Sequence, residues 1–438
     1  MITETLKNKL KFRISNIDPV KRVGKITKVI GLVIESSGPK APIGELCNII
    51  DRDGEIICQS EIVGFLEQNR ILSMVLGDLQ NIEPGMEIVA TSSSLRIGVG
   101  ETLLGRVING IGKPIDGLPE TNVAEYRSIY AHPPNPLTRK RITEPLATGV
   151  KAIDGILTLG KGQRIGIFSG SGIGKSTLLG MIARNTAADI NVICLVGERG
   201  REVKEFIEKD LGEDGLRRSV VVVATSDTAP LMRVKAPLVA TTIAEYFRDK
   251  GLDVMLMVDS ATRLAMAQRE VGLTIGEPPT SKGYTPSVFS FMQKTMERAG
   301  TSEVGSITGM YTVLVEGDDM NEPIADAARG ILDGHIVLSR KLASLGHYPA
   351  IDVLESISRV RNDVISPEHK QSAQNVIELL AAYKMSEDLI SVGAYRKGSN
   401  PLTDKAIASY DNINNFLKQN INENADFSDT IEKLLNLV

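Results

Sequence analysis

The chain of 438 residues is too long for one ordinary core, and usual domain sizes point to two or three domains, one of them large. With 42% hydrophobic and 24% charged residues it has the composition of a soluble globular protein, and a formal net charge of -4 gives no basic footprint for a nucleic-acid backbone. Three cysteines, Cys47, Cys58 and Cys194, fall in no CxxC spacing, no run approaches the roughly 20 apolar residues of a membrane span, and the start lacks a signal-peptide core, so disulfide scaffolds, zinc sites and secretion lose support and a reducing cytosol is the default.

Within residues 1–16, Ile2, Leu6 and Leu10 fall four apart, a thin helical stripe open to two readings, a frayed terminus or a helix that docks on a partner. From about 20 to 93, short apolar runs are separated by turn residues, and "DRDG" marks a hairpin between two strands; this predicts a small β-barrel. "RIGVGETLLGRVINGIGKPIDGLPE" and "AHPPNPLTRKRITEPLATG", rich in glycine or proline, read as linkers and loops. From about 150 to 365, runs such as "RIGIFS", "NVICLVG", "SVVVVAT", "DVMLMVDS", "SITGMYTVLV" and "HIVLS" alternate with helical patterns, which predicts a largely parallel sheet covered on both faces. "LMRVKAPLVATTIAEYFRDKG" is one such helix, closed by Gly251, and Ser366 with Pro367 opens a helical C-terminal region through "KQSAQNVIELLAAYK".

The chemistry gathers at strand ends. "SGSGIGKST" follows the strand "RIGIFS" and precedes a helix whose Leu178, Leu179 and Ile182 share one face, the context a phosphate-binding loop requires. Gly170, Gly172 and Gly174 let backbone amides approach phosphate oxygens, Lys175 reaches the β- and γ-phosphates, and Ser176 offers a hydroxyl to Mg²⁺. Ser169 stands where the strict pattern has glycine, a strand-end position where a small side chain suffices. The next strand ends in "LVGERGREV", which puts Glu198 on the same sheet edge, where a carboxylate can orient or deprotonate the attacking water. "DVMLMVDS" ends in Asp259, fitting the acid that holds Mg²⁺ through water. His132, His335, His347 and His369 form no spaced metal pair.

With these motifs the chain resembles the rotary-ATPase-like hexameric ATPases, most of all the ATPase of bacterial flagellar and type III protein export. The resemblance runs from "GLVIESSG" to "GAYRKGSNPLTDKA" and is strongest in "EGDDMNEPIADAARGILDGHIVLSRKLA", residues 316–343. It implies an α/β fold, a RecA-like P-loop core with a mostly parallel sheet, an N-terminal β-barrel and a C-terminal helical domain. The expected division is a partner-binding segment at 1–20, the barrel at 21–94, the ATPase domain at 95–365 and the helical domain at 366–438.

By the same resemblance Ser171, Gly172, Ile173, Gly174, Lys175, Ser176 and Thr177, after Gly170, form the ATP-binding loop. Glu198 is then the catalytic glutamate, with Arg199 near the γ-phosphate, Glu202 near the metal, Asp259 as the Mg²⁺-side acid and Arg263 as a phosphate-sensing arginine. Tyr348 in "GHYPAIDVLESISRV" would stack on adenine, Arg359 would be a finger inserted into the neighbouring subunit's site, and Tyr395 in "GAYRKG" would line the base pocket. Packing or surface ion pairing would explain Tyr348 and Arg359 equally well from the sequence alone. "TPSVFSFMQKTMERAG" departs from the family by being more polar than its segment built around "PPSVF".

The function implied is hydrolysis of Mg-ATP by a homo-hexamer to drive chaperone release, unfolding and export of flagellar proteins. Its implied partners are a stator-like regulator at the N-terminal segment, a central stalk protein, the export gate and chaperone–substrate complexes; the implied location is cytoplasmic, peripheral to the inner membrane, with no nucleic acid. The alternatives are a virulence (injectisome) secretion ATPase and the catalytic subunit of a proton or sodium rotary ATPase, against which the 316–343 block argues. A non-catalytic nucleotide-binding subunit would lack Glu198, and an RNA translocase would carry a basic, aromatic barrel.

Overall fold

The computed structural model describes residues 21–67, 70–77, 79–315, 317 and 319–437. The stripe expected in residues 1–16, and Glu316 and Asp318 of the 316–343 block, lie outside them.

Six strands, β1 (Val23–Ile30), β2 (Val33–Ser36), β3 (Glu45–Ile50), β4 (Ile56–Phe65), β5 (Ile71–Val75) and β6 (Glu87–Ser94), close into an antiparallel barrel in the order β1–β2–β5–β4–β3–β6. Alternation drives the closure: in β1 Gly24 and Ile26 point inward while Val23 and Lys25 face solvent, and Ile26, Ile34, Cys47, Ile49, Ile62 and Ile88 fill the interior. The "DRDG" turn joins β3 to β4 as expected; Asp51 Oδ1 accepts from the amides of Asp53 and Glu55, both at 2.9 Å, and Gly54 takes φ 87°. Gly24 can only be glycine, because a Cβ there would lie 2.2 Å from the Gly38 carbonyl carbon.

The main sheet contains β7 (Val107–Asn109), β8 (Arg164–Ser169), β9 (Ile190–Val196), β10 (Ser219–Ala224), β11 (Asp253–Asp259), β12 (Ser306–Leu314), β13 (Gly334–Leu338) and β14 (Ile351–Ser358). Their order is β14–β13–β8–β12–β11–β9–β10–β7; all pairs are parallel except β13 with β14, and the short strand Gly300–Thr301 pairs antiparallel with β12. Every residue of β9 and β10 is buried, as a sheet covered on both faces requires. Val192, Cys194 and Val196 join one core with Val234, Val239 and Ile243 of helix Pro230–Asp249. Ile193 and Leu195 point the other way, into a second core with Leu178, Leu179 and Ile182 of helix α1 (Lys175–Asn185).

Two stretches read as linkers are partly built into the structure. Arg96–Val99 pairs with Glu125–Ser128, Val107–Asn109 forms the edge strand β7, and Ile97, Val99, Leu103 and Ile108 are no more than 2% exposed. The strands are too short to show alternation between their glycines, so turn signals dominate the reading. Gly110 marks a close approach, since a Cβ there would meet the Met232 carbonyl oxygen at 2.6 Å. In the proline-rich stretch only Pro145–Leu146 pairs, with Leu159–Gly160. The polar segment "TPSVFSFMQKTMERAG" forms helix Pro286–Met296, which buries Val288, Met292 and Met296 four apart, with Thr295 beside them, and exposes Ser290, Gln293 and Lys294. Arg298 just beyond it is buried and forms a two-armed pair with Glu245 at 2.8 and 2.7 Å.

Three helices follow, Pro367–Ser391, Pro401–Leu417 and Phe427–Leu435, capped by the side chains of Ser366, Asn400 and Asp426. They dock on the sheet domain through polar contacts as well as core: His369 Nε2 lies 2.7 Å from the Gly155 carbonyl, and Gln419 both donates to the Gly149 carbonyl at 2.7 Å and accepts from the Lys151 amide at 2.8 Å.

The barrel is tied to the sheet domain by a buried charge pair. Lys235 Nζ of helix Pro230–Asp249 lies 2.6 Å from Glu61 Oε1 of β4, and the Tyr130 hydroxyl bonds both partners, donating to Glu61 at 3.0 and 2.9 Å. Lys235 and Glu61 are 4% and 5% exposed, so removing one strands the other. Lys235→Met is expected to lower unfolding stability by about 3–5 kcal/mol in denaturant titration, and adding Glu61→Gln to recover most of that loss. An unchanged midpoint for Lys235→Met would rule out the pair as the tie.

Candidate functional site

The parallel strands β8, β9, β11 and β12 all end on one edge of the sheet, and the residues just beyond them make the site. After β8 the chain turns through Gly170–Gly174 into α1. Gly172 (φ 78°) and Gly174 (φ 91°) occupy the left-handed region, so the loop is shaped by residues without side chains. No side chain caps α1, Ser176 is exposed beside the loop, and Ile173 is 2% exposed and anchors the loop to the core.

Lys175 stands between two carboxylates, 2.5 Å from Asp259 Oδ1 and 3.7 Å from Glu198 Oε1. Asp259, at the end of β11, is held by the Thr312 hydroxyl of β12, which donates to the same oxygen at 2.7 Å. Glu198 lies two residues past β9, and its carboxyl is pushed up to about 7. Burial is the largest cause; Asp259 and a hydrogen bond with Glu202 add to it, while Lys175 and Arg263 oppose it. A carboxyl poised near neutrality can take a proton from water and release it again.

Arg263, in helix Ala261–Thr274, lays its stem on Gly197, where a Cβ would stand 3.0 Å from Arg263 Cβ. Its Nε is buried without a partner, a donor available beside Glu198. Tyr348 borders the loop, since a Cβ on Gly174 would lie 3.8 Å from its Cε1, and its ring is 47% exposed. The structure therefore brings Lys175, Ser176, Glu198, Glu202, Asp259, Arg263 and Tyr348 to one edge.

Arg199, Tyr395 and Arg359 do not join that group. Arg199 is exposed at the rim, paired with Glu202 at 3.6 Å. Tyr395 gives its hydroxyl to the Asn400 carbonyl and the Asp404 carboxylate, both at 3.0 Å and both within the C-terminal helices. Arg359 follows β14, which runs antiparallel with Ile351 opposite Leu338 and Ser358 opposite Gly334, so it emerges at the far edge of the sheet, roughly 17 Å of strand from the loop of its own chain. There it is exposed and donates to the Arg329 carbonyl at 3.2 Å.

Sequence reasoning missed Thr312. Its signal was the last hydroxyl before the carboxyl end of the run "SITGMYTVLV", next in the sheet to the strand ending in Asp259.

Comparison with known proteins places this geometry. The ATP synthase alpha/beta family nucleotide-binding domain matches residues 149–358, the beta-barrel domain of the same family matches 26–92, and the T3SS EscN ATPase C-terminal domain matches 365–436. The flagellum-specific ATP synthase of Bacillus subtilis is 56% identical over 422 residues, 96% of either chain. A type 3 secretion system ATPase of Xanthomonas euvesicatoria is 47% identical over 436 residues, 99% of this chain and 98% of its own. Among solved structures, the assembled ATPase EscN of the enteropathogenic E. coli type III secretion system superposes with a TM-score of 0.89 at 46% identity, covering 94% of this chain and 99% of that one. EscN in complex with its central stalk EscO superposes at 0.88 with 45% identity, over 94% and 99% of the two chains.

The raised Glu198 carboxyl sets a direction for stability. The folded chain keeps that proton above an unfolded glutamate's ordinary value near 4.3, so Glu198 withdraws stability as pH rises toward about 7. Glu198→Gln has no such loss, so its melting temperature is expected to gain on the wild type's between pH 5 and pH 8. A gap that stays constant over that range would show that the carboxyl is not held near neutrality.

Proposed function

The chain belongs to the ATP synthase α/β family, within its flagellar and type III export branch, and on that premise we propose that it is the ATP-hydrolysing motor of flagellar protein export, acting as a homo-hexamer. The observation that carries the reading is the meeting of Lys175, Glu198 and Asp259 at the mouth of a glycine loop.

In the proposed reaction the amides of Gly170 to Thr177 bind the phosphate chain, and Lys175 exchanges its carboxylate partners for the β- and γ-phosphate oxygens. Glu198, relieved of that counter-charge in a buried place, orients a water molecule and accepts its proton as the phosphoryl group transfers. Arg263 offers its unpaired Nε to the transferring group, Arg199 at the rim swings toward it, and Tyr348 supports the base. Among the described residues no cluster of three or more His, Cys, Asp or Glu could hold a metal by itself, while Asp259, Glu202 and the Ser176 hydroxyl are hard oxygen donors. That set fits Mg²⁺, which takes one or two carboxylates and draws further ligands from phosphate and water. When bound it would neutralise charge on the β- and γ-oxygens.

Arg359 cannot serve its own loop from the opposite sheet edge, so it is read as a finger for the loop of a second copy. Such a finger is worth on the order of 10³-fold or more in turnover, so an isolated chain should be nearly idle. Specific activity is expected to rise with protein concentration, and Arg359→Ala to lose turnover at all concentrations while still binding nucleotide. Concentration-independent turnover would remove Arg359 from that role.

The remaining partners follow from the branch: a stator-like regulator at residues 1–20, a central stalk protein, the export gate and chaperone–substrate complexes, met at the cytoplasmic face of the inner membrane. No described helix is long and apolar enough to cross a membrane. The expected division into 1–20, 21–94, 95–365 and 366–438 serves these tasks, with hydrolysis in the third. Flagellar export is favoured over an injectisome by the 56% identity to a flagellum-specific relative against 47% to the secretion ATPase. In cells whose only copy carries Glu198→Gln, we expect lost filaments with normal growth, from a protein that binds ATP without turning it over. Intact filaments with normal growth would point to an injectisome, and impaired growth to a rotary energy-coupling enzyme.

A further inference from the structure

Hydrolysis as read above needs a fixed spacing between two segments, helix α1 with Lys175 at its start and the turn that carries Glu198. Val203, Phe206 and Leu211 pack the second segment into the core of the first, and Asp210 adds a polar contact between them. Asp210 lies in a six-residue π-helical turn, Phe206–Leu211, that continues directly from the short helix Gly200–Glu205, itself beginning two residues after Glu198 and carrying Glu202. π-helical turns are rare and concentrate at functional sites.

Asp210 is laid along one face of α1. Thr177, Gly180 and Arg184 are spaced three and four apart, so they form a single stripe on that helix. The Thr177 side chain hydrogen-bonds the Asp210 carboxylate, and the Arg184 guanidinium donates to the Asp210 carbonyl. Between them Gly180 leaves no room: a Cβ there would stand 2.6 Å from both Asp210 Cβ and its carbonyl oxygen. The second arm of Arg184 donates to the Ile421 carbonyl at 2.7 Å, tying the same contact to the C-terminal helices. Burial raises the Asp210 carboxyl, and Arg184, Thr177 and Lys209 act against that, so the group is held at a cost that the contact offsets.

We propose that Asp210 is a positioning residue for hydrolysis, its contact with Thr177, Gly180 and Arg184 setting where Glu198 stands over the phosphate loop. The proposal rests on Glu198 being the base. Asp210 is not among the residues read as binding phosphate or the attacking water; it acts through the π-helical turn and the helix that leads back to Glu198.

The test compares Asp210→Ala, Asp210→Asn and Thr177→Val in the full-length protein at a concentration where the wild type is active, reading kcat and the Kd and stoichiometry of a non-hydrolysable ATP analogue. Asp210→Ala is expected to lower kcat at least tenfold while Kd changes less than about threefold and stoichiometry is kept. Asp210→Asn, whose amide oxygen still accepts from Thr177, should restore kcat to within about threefold. Thr177→Val, close in shape and independent of whether Asp210→Ala folds, should lower kcat as Asp210→Ala does, and the double variant should be no worse than the poorer single. The proposal is overturned if Asp210→Ala keeps wild-type kcat, if kcat falls only in proportion to lost binding sites, if Asn rescues no better than Ala, or if the two losses multiply. Glu198→Gln run alongside separates the two levels: should it still turn over, the base assignment fails; should it be inactive while Asp210→Ala is normal, only the positioning role fails.

Discussion

A lysine held between two carboxylates in a largely buried place is the constraint around which the sheet domain is arranged. Lys175 contacts Asp259 and Glu198 from a helix start that has no freedom to retreat, because Leu178, Leu179 and Ile182 fix α1 to the core. Burial raises the cost of each charge, and only the opposite charge beside it makes that cost tolerable. A polyphosphate brings its own negative charge to Lys175 and so competes with both carboxylates at once. Glu198 feels the exchange more than Asp259, since Thr312 supplies Asp259 with a second partner on the same oxygen. On the reaction proposed above, the same geometry binds the phosphate chain and prepares the base.

Such an arrangement needs neighbours that do not drift. The sheet supplies this by parallel pairing through β8, β12, β11 and β9, which brings the ends carrying the loop, Thr312, Asp259 and Glu198 to one edge in register. The Asp210 contact adds a polar tie on the helical side, where Val203, Phe206 and Leu211 already pack the segment after Glu198 into the core of α1. The Arg184 link to Ile421 then makes the C-terminal helices part of the same framework, and the Glu61–Lys235–Tyr130 cluster does so for the barrel. Each outer domain is thus joined to the sheet domain by named hydrogen bonds, buried at the barrel and exposed at Ile421.

The sequence exposes what is periodic or local and hides what is assembled from distant short pieces. The barrel hairpin, the buried strands, the glycine loop and the Ser366–Pro367 helix start each carry their signal within a few residues, and each is where it was expected. Edge strand β7 was hidden because three residues between glycines cannot display alternation, and its burial against Met232 comes from a helix over a hundred residues away. Thr312 and Asp210 were hidden for another reason: a hydroxyl in an apolar run and an acid in a charged run look like ordinary surface until the sheet and α1 bring their partners to them. Tyr348 and Arg359 stood out only through family resemblance, and their placement separates them, one beside its own loop and one across the sheet.

That separation has a structural consequence for how the motor is built. The loop edge carries the binding residues and the base, and the opposite edge presents Arg359 held by the Arg329 carbonyl, with Arg164 and Asp333 paired at 3.1 Å beneath it. A chain whose two halves of one reaction face in opposite directions completes neither alone. Head-to-tail contact between copies joins the halves, and because such contacts are heterologous they close only as a ring or continue as a filament. On the role proposed for Arg359, a closed ring gives every loop a finger from its neighbour, and the sheet that carries one loop sets the position of the finger offered to the next.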